Sequence, residues 1–144
     1  MVMSPDEAFD AGRLVCASLD DTMTRYGFAP GQVGSRPGEA GVVFCSEHRA
    51  FRDRFPTLAP AIDHASPGAC TDLNVYVTLR EAGAHLAEVH LDGNGLTDLV
   101  RDVDGDDLEP DVAELAHLDL PQALGRLDHL LQEIFQRAAP EGRG

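Results

Sequence analysis

The sequence contains no lysine: its eleven basic residues are all arginine, set against 25 acids, for a net charge of −14 over 144 residues. Nucleic-acid phosphates and anionic lipid head groups are bound by cationic side chains that release counterions, so this balance argues against DNA, RNA or a membrane surface as a direct partner. A lysine-free, aspartate-rich composition fits a GC-rich genome and a salt-adapted proteome equally well. No run approaches the roughly 18 apolar residues that a bilayer span needs. Residues 1–7 lack the basic and apolar regions of a secretory signal, and the expectation is a cytoplasmic protein. Cysteine is scarce, and Cys16, Cys45 and Cys70 show no paired spacing. A chain of this length folds without disulfides, so reduced thiols are expected. A glycine-rich phosphate loop is missing too, because Gly93-x-Gly95 stands between two predicted strands instead of between a strand and a helix.

What is present suffices for a core. The apolar fraction is 43% and several segments are periodic, which argues for one folded domain over residues 1–144. Ser4-Pro5-Asp6-Glu7 reads as a capping box with proline at the first helical position. Phe9, Gly12, Cys16, Leu19, Met23 and Tyr26 then recur at helical steps, with Gly27 as a left-handed cap, which predicts a helix over 5–26. Residues 28–40 hold three glycines and two prolines without periodicity and read as a long loop, either a mobile cover over a site or simple disorder. Residues 41–45 read as a buried strand, and Ser46 as the cap of a short helix carrying Phe51 and Phe55 inward. Prolines break up residues 56–70.

From Thr71, Leu73, Val75, Val77 and Leu79 alternate with polar residues, a half-buried strand. Glu81-Ala82-Gly83 turns into a second strand, 84–91, with Ala87, Val89 and Leu91 on one face. Residues 96–103 read as a third, completing a meander over 71–103. Pro110–Leu118 suggests a brief helix. The broad stripe Leu124, Leu127, Leu130, Leu131, Ile134 and Phe135 predicts a helix over 121–138 before a loose tail at 139–144. The fold class is therefore α+β: an antiparallel sheet of about four strands, the meander plus 41–45, with the two long helices packed on one face. This order is similar to that of several small α+β groups, acidic secretion chaperones and toxin-immunity proteins among them, a likeness of arrangement alone.

Four residues could carry chemistry. Cys45, His48, His64 and Cys70 offer soft ligands, but only Cys45-x-x-His48 has metal-site spacing, and a buried thiol with surface histidines is the plainer reading. Cys45 at a strand end before a helix, with His48 three residues on, would also suit a catalytic thiol, for which the sequence supplies no orienting third group. Asp102, Asp104 and Asp106 begin like a calcium loop, but the sixth position is Asp107 and the twelfth Ala113, so a solvated acidic turn is the better account. No cofactor is implied. On strand geometry His85 and His90, an odd number of residues apart, fall on opposite faces, whereas Glu88 and His90 share one.

Charge distribution carries the most information. Between Asp92 and Leu120 there are ten acids and the single Arg101, so −9 of the −14 sits in one fifth of the chain. His48–Arg54 gathers three arginines in about a turn and a half of helix. The expectation is a non-enzymatic protein-binding module that meets a basic partner protein through residues 92–119, with Asp102, Asp104, Asp106, Asp107 and Glu109 as contacts and Arg49 and Arg52 as a second patch. The alternative is a small-molecule or metal-assisted enzyme using Cys45 and His48. An exposed meander edge would also serve to pair two copies into a homodimer.

Overall fold

A computed structural model describes residues 5–36, 38–58, 70–80 and 83–139. The fold is α+β: among the described residues, a five-stranded antiparallel sheet in the order β1-β2-β3-β4-β5 and five α-helices. Helix α1 (Pro5–Arg25) ends on Gly27, whose φ of +95° is the left-handed cap foreseen for it, while Ser4 lies outside the described residues. The buried face of α1 is Ala8, Ala11, Val15, Leu19 and Met23; Phe9 is exposed and Cys16 half-buried, so the helix is rotated from the stripe that sequence spacing suggests. Close packing sets that rotation. A Cβ on Gly12 would stand 2.4 Å from Val33 Cγ1, so the glycine admits the first strand against the helix.

That strand is the main correction in the first half of the chain. Residues 28–40 are not one loop: β1 (Gln32–Arg36) pairs through a hairpin with β2 (Glu39–Glu47), turning at Gly38 with φ of +75°. Among the described side chains of β1, Val33 alone packs on the core. One inward apolar residue is too little to register as alternation, and the ladder to β2 supplies the rest. Ser46 is buried inside β2 and does not cap α2 (His48–Arg54), whose N-cap position is Glu47. Phe51 and Phe55 do point inward, and with Tyr26, Phe28 and Phe135 they form a cluster of rings with centroids 5.0 to 5.9 Å apart.

Strand β3 (Cys70–Arg80) alternates as its sequence does, with Thr71, Leu73, Val75, Val77 and Leu79 buried. It pairs along nearly its whole length with β4 (Gly83–Leu91), but Tyr76 faces Glu88 while Val77 faces Leu86. Ala87 is thus an extra, exposed residue in a β-bulge. The bulge reverses the faces before it: Leu86 and Ala84 turn to the core side, and His85, opposite Thr78, joins His90, opposite Asn74, on the open face. The two histidines share a face after all, although four residues of β3 separate their partners, about 13 Å at strand rise.

The expected third meander strand is a helix. Strand β5 is two residues long (Asn94–Gly95), and α3 (Leu96–Asp102) follows at once with Leu96, Leu99 and Val100 buried. Helix α4 (Glu109–Glu114) and a 3-10 turn at Leu115–His117 lead to α5 (Leu120–Ala138). The Asp119 side chain caps α5 by accepting from Gln122 N at 3.0 Å, and the foreseen stripe from Leu124 to Phe135 is buried. One face of β2 and β3 is buried and the other half-exposed, as expected for two long helices on one side of a sheet. The two helices also touch directly: the Thr22 hydroxyl donates to Asp128, which accepts a second bond from Gln132.

Candidate protein-binding surface

The ten carboxylates from Asp92 to Asp119 divide by use. Asp92 accepts from the backbone of Asp72 at 3.1 Å and Asp119 caps α5, so both are structural. Asp98 meets Arg101 at 3.1 Å within α3. Arg126 of α5 reaches Asp111 at 3.3 Å and Glu114 at 3.0 Å, and Arg137 grips Asp107 with both Nη atoms, at 2.9 and 2.8 Å. That fork holds the Asp107 carboxyl below the usual range. Asp102, Asp104, Asp106 and Glu109 remain on the surface between the end of α3 and the start of α4. Partial burial and the charge of Asp98 raise the pKa of Asp102, against a smaller opposing effect of Arg101. Ten acids against Arg101, Arg126 and Arg137 leave an excess of −7.

Arg49 and Arg52 are exposed on α2, whereas Arg54, the third arginine of that helix, is structural. Arg54 lies over the rings of Tyr26 and Phe55 at 5.4 and 5.6 Å and donates to the carbonyl of Arg25 at 2.9 Å, closing the end of α1. Among the described residues, Arg101 of α3 and Arg126 and Arg137 of α5 meet the acidic segment.

The segment also walls a groove that sequence reasoning missed. A concavity of about 320 Å³ lies between β4, at Leu86 and Val89, and the apolar residues Leu96, Val112 and Leu115 of the α3–α4 region. Its only sequence signal is the helical spacing of Leu96, Leu99 and Val100, which places a helix, not a third long strand, beside β4.

Cys45 and His48 are not brought together. Cys45 lies across the ladder from Asp72 on the open face of the sheet; its hydrogen bond to that carboxylate, then burial, then the charges of Asp72 and Cys70 push the thiol up to about 11. His48 is buried on the other side, with Nδ1 3.2 Å from the Thr71 hydroxyl, and its Nε2 has no partner among the described residues. Thr71 and Asp72 are neighbours in β3 and so point to opposite faces. Cys70 is exposed opposite Glu47, and His64 lies outside the described residues. Among the described residues no three His, Cys, Asp or Glu side chains converge as a metal site. His90 and Glu88, on the open face as foreseen, are hydrogen-bonded at 2.5 Å. No helix among the described residues is long and apolar enough to cross a membrane. Comparison with protein-family models, with curated proteins and with solved structures gives no match to this chain.

Proposed function

We propose that this chain is a non-enzymatic protein-binding module whose segment 92–119 receives a basic partner. The observation that carries the reading is the charge left over after the molecule's own arginines have paired. Asp104, Asp106 and Glu109 have no arginine or histidine partner among the described residues, and the segment keeps its −7 excess beside an apolar groove. An unpaired acidic surface steers basic partners toward it and speeds their association, most strongly at low salt. The separation of Cys45 from His48 weighs against the alternative, because a thiol nucleophile needs its base within hydrogen-bond reach.

Two variants of equal charge test this by affinity capture from a native lysate at low and high salt. One neutralises Asp102→Asn, Asp104→Asn, Asp106→Asn and Glu109→Gln; the other neutralises the exposed Asp6, Asp10, Asp21 and Asp53, each to Asn. The first is expected to lose the salt-sensitive partners and the second to keep them. Equal loss in both, or none in either, contradicts the proposal.

A further inference from the structure

The bound segment can be described more closely, on the basis of the reading above. Strand β4 spans Gly83–Leu91, but β5 pairs only with His90 and Leu91. From 83 to 89 its outer edge carries no ladder among the described residues, and the 320 Å³ groove runs along 86–90 of that edge. An open strand edge presents backbone N–H and C=O groups to any extended chain laid about 4.8 Å away. The bulge adds Ala87, a residue that β3 does not match and whose small side chain is exposed.

We infer that the groove takes an extended segment of the partner as an added strand beside β4, with apolar and basic residues alternating. The alternation follows from the two faces of the sheet. Residues continuing the core face enter the space under Leu96, Val112 and Leu115; residues continuing the open face lie beside Glu88, whose side chain is 64% exposed. Carboxylates flank the apolar wall as well, Asp98 next to Thr97 of the lining and Asp111 next to Val112, each shared with an arginine of the molecule itself, Arg101 and Arg126. A second copy fits poorly, because its β4 edge would bring another −14 chain, acidic wall first, against this one.

The test uses a labelled ten-residue peptide alternating valine and arginine, titrated by fluorescence anisotropy at about 0.05 M salt. Two further peptides carry backbone N-methyl groups, one on every valine and one on every arginine. Strand addition uses the N–H groups of one phase only, so one methylated peptide is expected to bind about tenfold or more weakly and the other within about threefold of the parent. Ala116→Arg, inside the groove, is expected to weaken the parent about tenfold, and Ala113→Arg, exposed on α4 outside the lining, by no more than about threefold for the same added charge. Salt-sensitive binding that ignores both methylation phases, or that responds equally to the two alanine variants, overturns strand addition and leaves the acidic-surface reading standing. Failure of every peptide to bind at low salt overturns both.

Discussion

Asp102 and Asp107 belong to one acidic run but respond to the fold in opposite senses. Asp107, held low by Arg137, contributes stability that is present above the ordinary carboxylate pKa near 4 and is lost as pH falls through its folded value. Asp102, raised by burial and Asp98, contributes below about pH 4 and costs stability as pH rises through its folded value. Thermal unfolding at pH 7 should therefore show Asp107→Asn lowering Tm and Asp102→Asn raising it. Both differences should shrink as pH falls below the folded value of each carboxyl, lower for Asp107 than for Asp102, where the group is protonated in folded and unfolded chains alike. Cys45, with its thiol at about 11, should resist alkylation at pH 8 in the folded chain while exposed Cys70 reacts, a difference that peptide mapping after brief iodoacetamide treatment would read. Gly12 gives a packing test. Alanine in a helix is favoured over glycine by about 1 kcal/mol, yet the 2.4 Å approach to Val33 should make Gly12→Ala destabilising by about 1–3 kcal/mol in denaturant unfolding. Val33→Ala in the same chain should recover much of that loss.

At the scale of elements, α3 separates what the sequence states from what it conceals. Leu96, Leu99, Val100 and Val103 stand at i, i+3, i+4 and i+7, the helical pattern, whereas either alternating set holds charge (Asp98 and Asp102, or Arg101); Asn94-Gly95 before them reads as a hairpin turn and invites the strand reading. Over a helix of only seven residues that turn signal is easily given more weight than the spacing. Adjacent residues cannot both face the core of a half-buried strand, whereas Leu99 and Val100 are each 1% exposed. Both Leu99→Ala and Val100→Ala should therefore destabilise, the leucine by about 2–5 kcal/mol in equilibrium unfolding, and a neutral result at either would contradict the helix. Strand β1 escaped notice for a different reason: Gln-Val-Gly-Ser-Arg becomes a strand through its pairing with β2 and its seat on Gly12, neither of which is local. Helices α1 and α5 were legible, because each carries enough apolar residues on one stripe and ends in recognisable cap chemistry. Asp119→Ala should cost about 0.5–2 kcal/mol by removing the α5 cap. The bulge at Ala87 was illegible because register belongs to the pair of strands, and with it went the placement of His85.

Across the whole molecule the acidic surplus was readable and its partition was not. Counting charges located −9 in residues 92–119, but only the fold brings Arg126 and Arg137 of α5 onto Asp111, Glu114 and Asp107. These exposed pairs add little stability, about 0–1 kcal/mol each, and their larger effect is to set which carboxylates stay open to a partner. The groove beside β4 depends on the same arrangement, with the acidic segment folded as helices against a strand edge that β5 leaves mostly unpaired. The most direct measurement is the salt dependence of the association constant for the valine–arginine peptide, compared among the wild-type chain, the Asp102, Asp104, Asp106 and Glu109 quadruple variant, and the equal-charge variant altered at Asp6, Asp10, Asp21 and Asp53. A local acidic surface predicts a steep fall with salt for the wild type and the equal-charge variant and a flattened slope for the quadruple variant. Slopes flattened equally in both variants would mean that net charge alone draws the peptide, and would contradict the account.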